Sequence, residues 1–232
     1  MKNALVTGAS RGIGREVAIE LSKKDYYVFL TGRDKSALEE TKRIIDENEG
    51  SAEIVILDLL DPESIKSASK IVKEKVKTLN VLANIAGMYH NDKIHFFDIP
   101  FEDYPDEAII KNINASLVGH IILTKHLAEI MGNSSCVINM SGTFDEQETG
   151  VISDFITKKA NELFSKQLSL ELKGRGVRSN CVRPDFVFTE NVQKFFPEVK
   201  KEEALDPKYV AQRIVEVCED QNLNGEIIEI NR

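Results

Sequence analysis

The sequence predicts a single-domain α/β fold: a doubly wound, seven-stranded parallel sheet with helices on both faces. Three observations predict it. Short apolar runs bounded by turn residues alternate with long helical patterns from one end of the chain to the other. Alternation at that spacing implies right-handed crossovers, which make neighbouring strands parallel and bury both faces of the sheet. Finally, 232 residues, 42% of them hydrophobic, suffice for one sizeable core, with no linker, repeat or low-complexity tract to divide it. Residues 1–232 are therefore expected to form one domain.

The first strand, 3–7, runs into the turn Gly8-Ala9-Ser10-Arg11-Gly12-Ile13-Gly14. Ile13, Val17, Ala18 and Leu21 then recur on one face of a helix over 12–24. Gly8 permits the tight turn, Gly12 lets backbone approach a pyrophosphate, and Gly14 lets helix and strand pack closely. The helix N-terminus offers unpaired N–H groups and a positive dipole end to phosphates, the arrangement of a Rossmann nucleotide site. Gly8, Ser10, Arg11, Gly12, Ile13 and Gly14 are thus cofactor-binding candidates.

The second strand, 26–31, ends at Thr31-Gly32-Arg33. An acidic residue there would take the ribose hydroxyls of NAD. Arg33 and Arg11 instead offer two guanidinium groups to a 2′-phosphate, so NADP(H) is favoured over NAD(H). A helix over 34–48, a strand over 52–57, a helix over 62–77 and a strand over 80–84 complete the first half. The second half repeats the alternation, with helices over 105–131, 152–173 and 206–220 and strands over 134–140, 176–182 and 226–230.

Charge and composition exclude other classes. A net charge of −8 without a basic run argues against a nucleic-acid surface. No apolar run is long enough to span a bilayer, and one lysine followed by a strand is no signal peptide, so a cytoplasmic protein is expected. Cys136, Cys181 and Cys218 are widely spaced in apolar sequence and read as buried thiols. Neither they nor the four histidines have zinc-type pairing, so no metal site is expected.

Taken together, the motifs resemble the classical short-chain dehydrogenases/reductases over essentially the whole chain. Thr7 to Gly14 matches the cofactor motif without a mismatch, and Ile56-Leu57-Asp58-Leu59 matches the strand end whose aspartate holds the adenine amino group. Asn84-Ile85-Ala86-Gly87 matches Asn-Asn-Ala-Gly except at its second position. The match continues through Asn139-Met140-Ser141, Lys159 and Arg183-Pro184 to the Gly225-Glu226-Ile227-Ile228 strand. The resemblance adds Asp58, Leu59, Asn84, Ala86, Gly87, Lys159, Pro184, Val187 and Thr189 to the cofactor set. It also implies a lid-like segment at 190–206, containing Phe195, Phe196 and Pro197.

In that family a tyrosine exchanges the substrate's proton, a lysine four residues later lowers its pKa, a serine orients the carbonyl and an asparagine supports a water relay. Placing Lys159 on the lysine puts Phe155 at the tyrosine position, and the usual serine–tyrosine spacing then lands on Gly142. Ser141 and Thr143 flank it with hydroxyls. Ser116 takes the asparagine position without a gap, whereas Asn114 fits only with an insertion. The catalytic candidates are therefore Lys159, Ser141 and Ser116, with Tyr89 and Asp185 as conceivable replacement acids.

The expected function is an NADP(H)-binding oxidoreductase of this family acting on a small molecule, with a non-standard or impaired proton-transfer site. The alternatives are a non-catalytic NADP(H) sensor or partner subunit, and an NADP(H)-assisted epimerase or dehydratase. The resemblance implies a homodimer or homotetramer through the helices at 105–131 and 152–173. Leu163, Phe164, Leu168 and Leu172 supply more apolar positions on the later helix than one core-facing stripe needs.

Overall fold

The computed structural model describes residues 1–88, 100–143 and 151–232. Its strands are β1 (Lys2–Thr7), β2 (Tyr26–Gly32), β3 (Ser51–Ile56), β4 (Val81–Asn84), β5 (Cys136–Met140), β6 (Arg178–Pro184) and β7 (Ile227–Ile230). They form one seven-stranded sheet in the order β3-β2-β1-β4-β5-β6-β7, and every adjacent pair is parallel. The helices are α1 (Gly12–Ser22), α2 (Lys35–Glu47), α3 (Pro62–Lys75), α4 (Asp106–Ile113), α5 (Gly119–Leu127), α6 (Ile152–Glu171), α7 (Glu190–Phe195) and α8 (Pro207–Glu219). The predicted α/β fold is the one observed.

Two cores follow from strand alternation. Ala4 and Val6 of β1 face one way, with Ala83 of β4 and Ile138 of β5, into a core closed by α1, α2 and α8. Leu5, Leu82 and Val137 face the other way, onto Ile65 and Val72 of α3 and Leu123 and Leu127 of α5. Both faces of these strands are buried, which is why they read as continuous apolar runs.

The helix expected over 105–131 is interrupted. A π turn, Asn114–Val118, separates α4 from α5, and Ala128–Ile130 finishes as a 3₁₀ turn. Gly119 begins α5 against the Leu59 carbonyl, where an added Cβ would overlap the oxygen. Asn161 of α6 reaches the π turn, its Nδ2 donating to the Ser116 carbonyl at 3.0 Å. β6 starts two residues later than its apolar pattern predicts because Gly176, at φ 70°, turns the chain first. α7 lies within the segment 190–206 and was not expected; Thr189 caps it by accepting from the Val192 N–H at 3.3 Å.

Candidate functional site

The strand order reverses between β1 and β4, and a crevice opens at the carboxyl ends of the strands there, as expected at a switch point. The turn from β1 into α1 forms its floor. Gly8 and Gly12 have φ of 68° and 54°, backbone that favours glycine. Gly14 packs on that turn so closely that an added Cβ would overlap the Gly8 carbonyl oxygen. The turn is tied down by Thr41, whose Oγ1 donates to the Ala9 carbonyl at 2.8 Å, and by the Ala9 N–H donating to the Thr31 carbonyl at 3.1 Å. Arg15 donates to the Ser10 carbonyl at 2.6 Å and pairs with Glu190 at 3.3 Å, joining α1 to α7.

A cavity of about 600 Å³ lies along this turn. Of the predicted cofactor residues, Gly8, Ser10, Arg11, Gly12, Ile13 and Gly14 line it. Arg33, Asp58, Leu59, Ala86, Gly87 and Thr189 line it too. Asp34, next to Arg33, caps α2 by accepting from the Ala37 N–H at 3.1 Å. Asn84 does not reach the cavity. Its side chain donates to Thr124 Oγ1 at 3.1 Å and Asn139 Oδ1 at 2.9 Å, linking β4 to α5 and β5 inside the protein.

A second cavity, of about 680 Å³, is continuous with the first through Arg11, Ile13, Arg33, Gly87, Met88 and Thr189. Pro184 and Val187 line this one. So do Met140, Ser141 and Gly142 at the end of β5, and Phe186, Phe195 and Phe196 from the chain after β6.

Helix α6 presents Asp154 and Lys158 to this cavity, where the sequence register pointed to Phe155 and Lys159. Positions 154, 158, 161 and 165 share the inward face of α6. Phe155 and Lys159 are half-buried and line neither cavity, with the Lys159 ammonium 5.8 Å from the Phe155 ring centroid and 3.6 Å from Glu162. The cause is the Lys158-Lys159 doublet, which offers two registers one residue apart. The spacing that led from Phe155 to Gly142 leads from Asp154 to Ser141, and that coincidence was the signal available in the sequence.

Ser141 is buried, and its hydroxyl donates to Glu162 Oε1 at 2.7 Å. Glu162 also faces Arg183 at 3.4 Å. Ser116 is buried beside Gly87 and accepts from the Met88 N–H at 3.0 Å. Asn114 lies in the π turn and lines neither cavity. Thr143 donates to Asp185 Oδ1 at 2.8 Å. Tyr89 lies outside the described residues; among those described, no tyrosine lines either cavity.

Burial pushes the Asp154 carboxyl above its ordinary range, while Lys158 and a hydrogen bond from Asn112 act against the rise. His120, buried beneath the turn with its ring 3.0 Å from Thr7 Oγ1, is pushed down to about 4 by burial. Sequence reasoning gave neither residue a role. Cys136, Cys181 and Cys218 are buried free thiols, and no described helix is long and apolar enough to cross a membrane.

The geometry can be set beside known proteins. The chain is 30% identical over 247 residues to the 3-oxoacyl-[acyl-carrier-protein] reductase FabG of Aquifex aeolicus, covering 99% of this chain and 96% of that one. It is 28% identical over 198 residues to the oxidoreductase YgfF of Escherichia coli, covering 82% and 78% of the two chains. Among solved structures, a short chain dehydrogenase from Burkholderia cenocepacia in complex with NADP superimposes with a TM-score of 0.87 at 21% identity, covering 99% of this chain and 96% of that one. A point variant of the actinorhodin polyketide ketoreductase with NADPH gives a TM-score of 0.87 at 23% identity, covering 99% and 95%. The short chain dehydrogenase family matches residues 2–200, and the chain belongs to that family.

Proposed function

We propose that this chain is an NADP(H)-dependent oxidoreductase that interconverts a carbonyl and a hydroxyl on a small molecule. The observation that carries the reading is the glycine-floored groove with Arg11 and Arg33 on its wall; the acid next to Arg33, Asp34, lines the same wall and gives one carboxylate oxygen to the cap of α2. The residues fit a dinucleotide: a Cβ at Gly14 would collapse the floor, and α1 begins there with unpaired N–H groups. Such a cofactor supplies hydride; the chain holds it, orients the substrate and moves a proton. The names of the FabG relative and of the NADP-bound structural neighbours agree with this reading.

NADPH is expected to bind more tightly than NADH, and Arg33→Ala to narrow the gap by about tenfold, the value of one charge-assisted contact. Calorimetric titration of both chains with both nucleotides checks it. Equal affinities in the unmodified protein would sink the preference.

The proton-transfer site is read as altered, because Asp154 and Lys158 face the cavity and no described tyrosine does. That same observation favours one competing reading, a non-catalytic NADP(H)-binding protein. The two part on turnover: NADPH consumption over a panel of aldehydes and ketones supports the enzyme, and tight binding without consumption supports the sensor.

Self-association is proposed on the outer face of α6. Ile152, Ile156, Leu163 and Leu170 recur on one side of the helix, the last two 66% and 63% exposed. Ile110 and Ile121 extend exposed apolar surface onto α4 and α5, whereas Leu168 and Leu172 pack inward. Sedimentation at micromolar concentration should show a dimer or tetramer, and Leu163→Glu should shift it toward monomer. A monomeric unmodified chain counts against the interface.

A further inference from the structure

Asp154 stands in the first turn of α6, nine-tenths buried, with its carboxyl on the wall of the second cavity. Lys158 follows one turn later on the same helix face and reaches toward Gly87, so a carboxyl and an ammonium look into one space. Among the described residues no carboxylate lies within 4.0 Å of Lys158, so it is not held in an ion pair there. From α4, Asn112 donates to the Met88 carbonyl, tying α4 to the loop that joins the two cavities, and its amide acts on the Asp154 carboxyl to favour the charged form.

The two hydroxyls at the end of β5 have their protons engaged elsewhere. The Ser141 hydroxyl donates to Glu162 at 2.7 Å, and the Thr143 hydroxyl to Asp185 at 2.8 Å and the Pro184 carbonyl at 2.9 Å. Ser141 therefore presents lone pairs to the cavity.

We propose that Asp154 is the proton-transfer residue of this chain, its carboxylic acid protonating the oxygen of a substrate carbonyl as that carbonyl is reduced. The proposal rests on the nicotinamide reading above. The carbonyl carbon gains a hydride, with its electron pair, from the reduced dinucleotide, and a C–H bond forms. The C=O π pair moves onto oxygen, which takes the Asp154 proton as the carboxyl O–H breaks. The dinucleotide leaves oxidised, and the Asp154 carboxylate, facing Lys158, regains its proton from solvent.

Burial favours the protonated carboxyl that this role needs, and Lys158 favours the carboxylate that remains afterwards. The other charged groups around the cavity are Glu107 and Lys111 on α4, Asp185 after β6, Lys194 on α7, and Arg11 and Arg33 at the shared rim. Glu107 and Lys111 pair with each other, and none of the six is among the groups that shift Asp154.

Asp154→Asn keeps the shape and removes the acid. Three readouts are taken on both chains: NADPH affinity by calorimetry, a carbon-13 NMR titration of the aspartate carboxyls without nucleotide, and the pH profile of NADPH-dependent reduction of 4-nitrobenzaldehyde and ethyl acetoacetate. NADPH affinity should be unchanged. One carboxyl resonance, absent from the variant, should titrate above the ordinary aspartate range, and Lys158→Met should move it higher still. Reduction by the unmodified chain should fall as pH rises through that titration. The variant should be slower by about 10²–10⁴-fold and lack that limb of the profile. Absence of NADPH binding to the unmodified chain overturns the cofactor reading, and this proposal with it. Intact binding with reduction retained within about threefold in the variant overturns Asp154 alone. Should neither probe be reduced, the titration decides, and a carboxyl in the ordinary range overturns the proposal because it has no proton to give at neutral pH.

Discussion

Gly14→Ala is expected to lose about 3 kcal/mol of stability and most of the nucleotide affinity, the upper end of the range for overpacking a core. The added methyl would overlap the Gly8 carbonyl oxygen and press on the Thr7 carbonyl at 3.1 Å. Both neighbours are backbone, so no side chain can swing aside. The turn cannot retreat either, because a Cβ built on Gly8 itself would lie only 3.0 Å from the Ala86 Cα. Thr41 and Thr31 hold its other end. Urea unfolding measures the loss, with Gly132→Ala as a control, since an added Cβ there meets nothing within 4 Å. The control should stay within about 0.5 kcal/mol. An unchanged midpoint for Gly14→Ala would show that the turn yields where the packing says it is rigid.

Acid should act through His120. Thr7 Oγ1 accepts from the N–H groups of Ile85 and Ala86, at 2.9 and 3.0 Å, which occupies both of its lone pairs. Its proton is shared between His120 Nε2, 3.0 Å away, and the Ala83 carbonyl, 3.4 Å away, an arrangement that suits a neutral ring with this nitrogen bare. The folded pKa of about 4 lies below the ordinary value of 6.5. The unfolded chain therefore binds the extra proton between those two values. The contribution is complete above pH 6.5 and is lost as pH falls toward 4, by roughly 3 kcal/mol in all. Asp154 and Glu16, both raised by burial, work in the opposite sense, so the comparison must be with a variant. His120→Gln, less stable at neutral pH, should lose about one proton from the pH slope of unfolding between about pH 6.5 and 4.5. Parallel slopes in the two chains would remove His120 as the acid-sensitive group.

The fold was legible because its signals are local and repeated. The inner strands bury both faces and are bounded by turn residues, so an apolar run located β1, β2 and β4 to within a residue at either end. The glycine turn was legible for a related reason: Gly8, Gly12 and Gly14 each answer to a backbone constraint that no other residue meets well. The end of β5 and the first turn of α6 were harder. Which residue of the doublet Lys158-Lys159 faces inward is set by the rotation of α6 on the sheet, fixed by contacts such as Asn161 to the Met140 carbonyl at 3.2 Å. A sequence holds that rotation only implicitly. Asn84 illustrates another gap. A motif can place a residue beside a nucleotide site while its side chain turns inward to join buried strands.

The strand order also has a consequence for how the chain is made. After β1, the strands β2 and β3 extend the sheet in one direction in the order of their synthesis, and β4 to β7 extend it in the other. Every strand after β1, except β4, meets a neighbour made immediately before it. β4 alone reaches back to β1, pairing Val81 with Ala4 across the whole of the first two crossovers. Until Val81 has emerged from the ribosome, the apolar segment Ala4-Leu5-Val6 presents an open edge, the interval in which a nascent chain is most exposed to wrong pairing. Once β4 has docked, each later strand adds to the free side of the one before it, and synthesis from there to β7 only lengthens a sheet whose centre is already closed.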